Sequence, residues 1–328
     1  MEDTRPKWRY GVKRWFVLLF VILGIVFANL YPPLSPHIQV APENVSAQPL
    51  FTLPVIGPFY LTNTLIATVI LDVLIIGIAL LVRKAARSGD LVPKGISGAV
   101  EYVLELLYNM TESTAGKYAR KIFPYFATIL LVVLFANWME LIPGVDSIGR
   151  LEATQHGSPI LAILPGLAGV IKGTAAQAKE GGFVVVPFVR VLSTDLNFTI
   201  ALALISVFMT QVVGVQAQGL RYFTKFFNTT TLFKKPLFGA IDLAVSLLEL
   251  ISEFSKLLSF SFRLFGNIFA GAVLLFLVGS LVPVFAQSLV LLFEFFIGAI
   301  QAFVFGMLTM VFMAQATAGH GEEDHAQA

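Results

Sequence analysis

Long apolar runs interrupted by short clusters of charge leave this chain few ways to fold. A helix that crosses the ~30 Å hydrocarbon core of a bilayer takes about 20 mostly apolar residues at 1.5 Å each. Such runs occur at residues 15–31, 59–82, 123–142 and 196–218, and through most of 236–317. Of the 328 residues, 57% are hydrophobic and 13% charged, about half the charge of an ordinary soluble domain. This balance excludes a soluble enzyme, a nucleic-acid binder and a disordered scaffold. It predicts an all-α polytopic membrane protein with five to six membrane helices, embedded in the lipid bilayer. The chain has no cysteine, so it forms no disulfide, thiolate metal site or iron–sulfur cluster. No cofactor, metal or nucleic-acid partner is expected, and the net charge of +2 creates no large basic field.

Charge placement orders the segments. Lys7, Arg9, Lys13 and Arg14 precede the run 15–31, which suits a cytoplasmic N-terminus. A cleaved signal peptide is the alternative, since the run is short and Ala28 lies near its end. Prolines at 32, 33, 36, 42, 49, 54 and 58 preclude a continuous helix, so 1–58 is a membrane or signal segment followed by an external stretch. The span 59–82 ends at Arg83, Lys84 and Arg87, on the cytoplasmic side. Residues 95–122 have an amphipathic pattern that suits the inner surface. Pro124 opens the span 123–142, which leaves through Glu140, Pro143 and Asp146. The connection 143–195 is external, and its one apolar run, 159–171, reads as interfacial or re-entrant. The span 196–218 returns inside at Arg221, Lys225, Lys234 and Lys235, so 59–235 forms the second region. Residues 318–328 form a cytoplasmic tail, in which His320 and His325 read as solvated rather than metal-ligating. There is no internal repeat and no phosphate-binding glycine loop.

Residues 236–317 impose the sharpest geometry. About 45 residues from Pro236 to Pro283 contain no intervening proline, enough for one helix nearly 70 Å long, and 284–317 add about 50 Å more. Neither fits upright in a bilayer core, so both tilt or bend, with a hairpin near Pro283. Within the first helix, Asp242, Glu249, Ser252, Glu253, Lys256, Ser259, Arg263 and Asn267 fall inside a wedge of roughly 120°. A charge at mid-membrane costs about 2.5–3.5 kcal/mol on insertion scales and marks an ion or substrate path by default. Arg263 is the sharpest case, because a guanidinium stays protonated even when desolvated. It is either a structural, carbonyl-paired arginine or a functional charge whose acidic partner lies on another subunit. Glu253 and Lys256 have the spacing of a simple i, i+3 pair. Gln287, Glu294 and Gln301 share one face of the last helix, where Glu294 is a proton relay or a structural hydrogen-bonder.

At these residues the chain resembles a known family. Arg263-Leu-Phe-Gly-Asn267 with Ala270-Gly271 is similar to the signature of subunit a of the F-type ATP synthase. Gln301-Ala-Phe-Val-Phe, Asn137-Trp-Met-Glu140-Leu-Ile-Pro143, Ser193-Thr-Asp195-Leu-Asn197 and Arg83-Lys84 followed by Val92-Pro93-Lys94 extend the likeness over about 59–317. The resemblance implies a non-catalytic stator subunit of the bacterial inner membrane with a cytoplasmic C-terminus. Its implied partners are the c-subunit ring, the b subunits of the peripheral stalk and the rest of the ATP synthase. It also implies two ion half-channels separated by Arg263, with Asn267 and Gln301 as its polar neighbours. Glu249 and Glu294 would line the proton path, and Asp195, Asn197 and Glu140 would stand near the external entrance. Some members carry an acidic residue shortly after the arginine block and a histidine in the last helix. Here those positions are Ala272 and Glu294, so the path rests on one carboxylate. Two rival functions fit less well than the stator: a secondary transporter predicts repeats and broken helices where this chain has long continuous ones, and a purely structural membrane subunit needs no polar wedge.

Overall fold

A computed structural model of the chain describes residues 10–30, 41–46, 48–54, 57–87, 95–142, 145, 148–154, 159–164, 167–170, 182–226, 236–281 and 285–318. The first helix, α1, is Tyr10–Leu30, and α2 is Asn63–Arg87. α3 (Ile96–Ala115) and α4 (Ala119–Trp138) are joined by a 3₁₀ turn, Gly116–Tyr118. α5 is Leu196–Gln218, followed by a second 3₁₀ turn, Gly219–Lys225. The chain closes with α6, Pro236–Leu281, and α7, Phe285–Thr317. Five helical stretches are long and apolar enough to cross a membrane: Asn63–Lys84, Ser97–Leu141, Leu196–Gln218, Leu243–Gly279 and Ala286–Thr317. The protein is thus a mainly helical polytopic membrane protein, as its composition requires. The two expected long helices are both present, at 46 and 33 residues. Pro283, where the hairpin is expected, lies outside the described residues, as do the basic residues Lys7, Arg9, Lys234 and Lys235, the segment 92–94 and the tail from 319.

Two local readings change. α4 starts at Ala119, so Pro124 lies inside the helix rather than opening it. The helix accommodates it because the Arg120 carbonyl that loses its N–H partner belongs to an exposed residue near the helix start. Within the apolar run 159–171, Ile160–Leu164 and Leu167–Val170 pair as antiparallel strands.

The chain divides into two compact units. One comprises 1–39, 141–189 and 269–296. In it Gly149–Thr154 and Gly182–Pro187 pair antiparallel, with Gly149 opposite Pro187 and Thr154 opposite Gly182. The other comprises 40–140, 190–268 and 297–328. Its core gathers Ile129 and Val133 of α4, Leu202 and Ala203 of α5, Phe260, Leu264 and Ile268 of α6, and Ala302 and Phe305 of α7. A second cluster packs Leu107 of α3 onto Ile122 and Phe126 of α4 and Met310 and Met313 of α7. The amphipathic pattern of α3 thereby resolves into a stripe, Leu107 and Thr111, turned toward α4. In lipid, helices gain no hydrophobic energy by meeting, so close packing and interhelical hydrogen bonds hold them. Here Asn137 Nδ2 donates to the Gly298 carbonyl at 2.9 Å, and the Ser206 and Thr309 hydroxyls share a bond of 2.7 Å.

Candidate functional site

The polar wedge of α6 separates into two edges. On one, Glu253 is 7% exposed and its carboxylate is saturated. It accepts from Lys256 Nζ at 3.0 Å, Lys225 Nζ at 3.2 Å and Gln211 Nε2 at 3.1 Å. The Tyr222 hydroxyl donates to Gln211 Oε1 at 2.8 Å. Lys225 also stands 3.6 Å from Glu249, whose side chain is 41% exposed. Its ammonium lies 4.3 and 4.5 Å from the ring centres of Tyr222 and Phe226, a cation–π arrangement. The expected Glu253–Lys256 pair is therefore one contact within a six-residue network. Lys225 and Tyr222 reach it because Gly219, at φ 68°, ends α5 and reverses the chain. Burial raises the Tyr222 phenol above its ordinary value, against the opposing pull of Lys225. Burial draws Lys225 down, but Tyr222 and Glu253 outweigh it and hold the ammonium above its ordinary value.

The other edge is open. Ser252, Ser255, Ser259, Arg263 and Asn267 are exposed along one face of α6. Arg263 Nη2 donates to Ser259 Oγ at 3.3 Å, and among the described residues no carboxylate lies within ion-pair distance of it. It stands twenty residues into the apolar stretch Leu243–Gly279 and sixteen before its end, more than about 20 Å along the helix from either terminus. Asn267 is exposed and Gln301 half-buried, and neither side chain is hydrogen-bonded among the described residues. Asp242 lies on α6 and its side chain is outside what is described.

In the other unit, Glu294 of α7 is 3% exposed, and neither carboxylate oxygen has a hydrogen-bond partner among the described residues. Its carboxyl group occupies the space over Gly271 of α6, where any Cβ would collide with both oxygens. Gly271 immediately precedes Ala272, so the facing helix yields room there rather than a second acid.

Asp195 caps α5, its carboxylate accepting from the Asn197 N–H at 2.9 Å. Asp195 is buried, Asn197 is exposed, and Glu140 is buried in the 3₁₀ turn Met139–Leu141. Ser193 Oγ donates to Asn137 Oδ1 at 2.6 Å, which joins the end of α4 to the approach to α5. Arg263, Asn267 and Glu249 thus share α6, whereas Asp195 is buried beside Ser193 and Thr194 at the start of α5, and Glu140 is buried in its own 3₁₀ turn. Sequence reasoning missed Gln211 and Tyr222 altogether and took Lys225 only as a topology marker. A turn carries no periodic signal, so nothing in the sequence pairs those residues with Glu253.

The comparisons with known proteins follow the same residues. A family model described as ATP synthase A chain matches residues 64–314, three quarters of the chain and both edges of the wedge. The chain is 27% identical to ATP synthase subunit a of Helicobacter hepaticus over 202 residues, 61% of this chain and 64% of the relative. It is 31% identical to ATP synthase subunit a 1 of Syntrophotalea carbinolica over 153 residues, 47% of this chain and 45% of the relative. It is 26% identical to ATP synthase subunit a of Syntrophobacter fumaroxidans over 240 residues, 73% and 74% of the two chains. The chain therefore matches less than two thirds of the length of the first two relatives. Its apolar helices, its arginine-bearing α6 and the extent of the match place this chain in the ATP synthase A chain family, as a subunit a.

Proposed function

We propose that this chain is the membrane stator of a rotary ATP synthase. It passes protons to and from carboxylates on a neighbouring c-subunit ring and so couples the proton gradient to rotation. The observation that carries this reading is the exposed, permanently charged Arg263, deep in an apolar helix and without a counter-ion among the described residues. A guanidinium there draws a carboxylate of a passing subunit into its ionised form and, as a fixed charge, opposes a direct proton leak past it. Driving energy is about 2.3 kcal/mol per charge per 100 mV. Asn267 and Gln301 are the polar neighbours of that charge. Glu249 lies on the cytoplasmic side of the path and the buried Glu294 along it, as a carboxyl group that takes up a proton or binds water. Asp195, Asn197 and Glu140 stand toward the external entrance. The chain itself performs no catalysis, and its partners are the c ring, the b subunits of the peripheral stalk and the rest of the synthase. Its place is the bacterial inner membrane, with the C-terminus in the cytoplasm.

The test is ATP-driven acidification of inverted membrane vesicles carrying Arg263→Ala, with assembly and ATP hydrolysis measured in parallel. Loss of pumping by an assembled complex is expected. Pumping at the wild-type rate would overturn the reading.

A further inference from the structure

α2 carries one charged residue, Asp72, within its apolar run, and its placement is unusual. The spanning stretch Asn63–Lys84 puts Asp72 nine residues from one end and twelve from the other, about 14 and 18 Å along the axis. That is near the middle of a ~30 Å core. Only 11% of this stretch is buried in the chain, the least of the five. The inward stripe of α2 is Asn63, Thr64, Ala67 and Leu71. Asp72 is outside that stripe, exposed among Val69 at 56%, Val73 at 67% and Ile76 at 58%, with no hydrogen-bond or ion-pair partner among the described residues.

A carboxylate on lipid-facing surface at this depth costs at least about 2.5–3.5 kcal/mol. An aspartate cannot relieve that cost as Lys or Arg does, because its side chain is far too short to reach either interface. Ionisable groups at this depth face protein or a water-filled cavity. The surface around Asp72 is exposed and lined by valine and isoleucine, so protein has to cover it. We infer that this face of α2 docks a transmembrane helix of another subunit, which presents a basic side chain, Lys or Arg, to Asp72 at mid-membrane depth. Charge complementarity selects the basic partner, since a cation at that depth needs an anion as much as Asp72 needs a cation. The inference requires only that α2 spans the membrane. It is independent of the proton path proposed for α6 and α7.

The test uses the intact complex in its own membrane. A photo-crosslinking amino acid at Val73, with Asp72 retained, is irradiated and the adduct identified by mass spectrometry. The expected product joins α2 to a membrane helix of a different subunit that carries Lys or Arg within one turn of the adduct. Adducts only with lipid, with a second copy of this chain, or with a helix lacking a basic residue would overturn the inference. In parallel, Asp72→Leu and Asp72→Asn are expected to lower retention of that subunit on detergent extraction by about tenfold, whereas Asp72→Glu retains it. Wild-type retention with Asp72→Leu would also overturn it. Pumping by Arg263→Ala reports separately on the stator reading.

Discussion

The two edges of the α6 wedge carry the same kinds of residue and treat charge in opposite ways. At the Glu253 edge, two lysines, a glutamine and a buried carboxylate satisfy one another. At the Arg263 edge, a guanidinium finds, among the described residues, only a serine hydroxyl. A buried, unpaired charge is costly, and fold energetics favour pairing it internally wherever geometry allows. The chain does so at Glu253, so the open arginine ten residues further along α6 is not for want of means. On the proposed reading it is a charge left available to a partner. Asp72 repeats the pattern with the opposite sign on α2. On these proposals, satisfied charges hold this chain together, and those open among the described residues mark where other chains meet it.

That contrast can be broken by exchanging the consequences. The largest expected effect is the one at Arg263, where Arg263→Ala removes pumping but leaves assembly. Glu253→Gln should do the reverse. It leaves Lys225 and Lys256 without their carboxylate and lowers the stability of the solubilised complex by about 3 kcal/mol, read as an earlier thermal transition, while pumping at low temperature persists. If Glu253→Gln abolishes pumping without a stability loss, the division between a structural and a functional edge fails.

A smaller effect belongs to Gly271. Gly271→Ala drives a methyl into the space held by the Glu294 carboxyl group and should cost between about 1 and 3 kcal/mol, with slowed pumping. Adding Glu294→Ala should recover the packing but not the pumping, which a double-mutant cycle measures. Full recovery of both would make Glu294 a packing residue only.

The smallest effect is the pH dependence of the Lys225 cluster. Tyr222 and Lys225 both hold their protons more tightly than their ordinary values of 10.0 and 10.5. A raised folded-state value contributes stability that is complete below the unfolded value and fades as pH rises through the folded one. Thermal midpoints should therefore fall above about pH 10, and less steeply for Lys225→Met than for the wild type. Equal slopes would show that the cluster adds no alkaline sensitivity.

Much of the architecture was legible because it is periodic or compositional. The span 196–218 coincides with α5, and the absence of proline from 237 to 282 foretold a helix of 46 residues. The arginine block was legible for another reason, since a charge in an apolar helix stands out against its surroundings. Two things were not. Within the run 159–171, Ile160–Leu164 and Leu167–Val170 pair as strands, which a count of hydrophobic residues does not register. The wedge, which helical angles alone make a single surface, is two surfaces because Lys225 and Gln211 approach it from one side only.

Composition and hydrophobic period by themselves determined that this is a bundle of membrane helices and which residues are too polar for lipid, because the cost of a charge in hydrocarbon does not depend on its neighbours in the chain. Only the tertiary structure decided which of those charges are answered. Pairing requires atoms within about 4 Å, and Lys225 and Gln211, which supply them for Glu253, lie on another helix and turn, brought near by packing rather than by sequence.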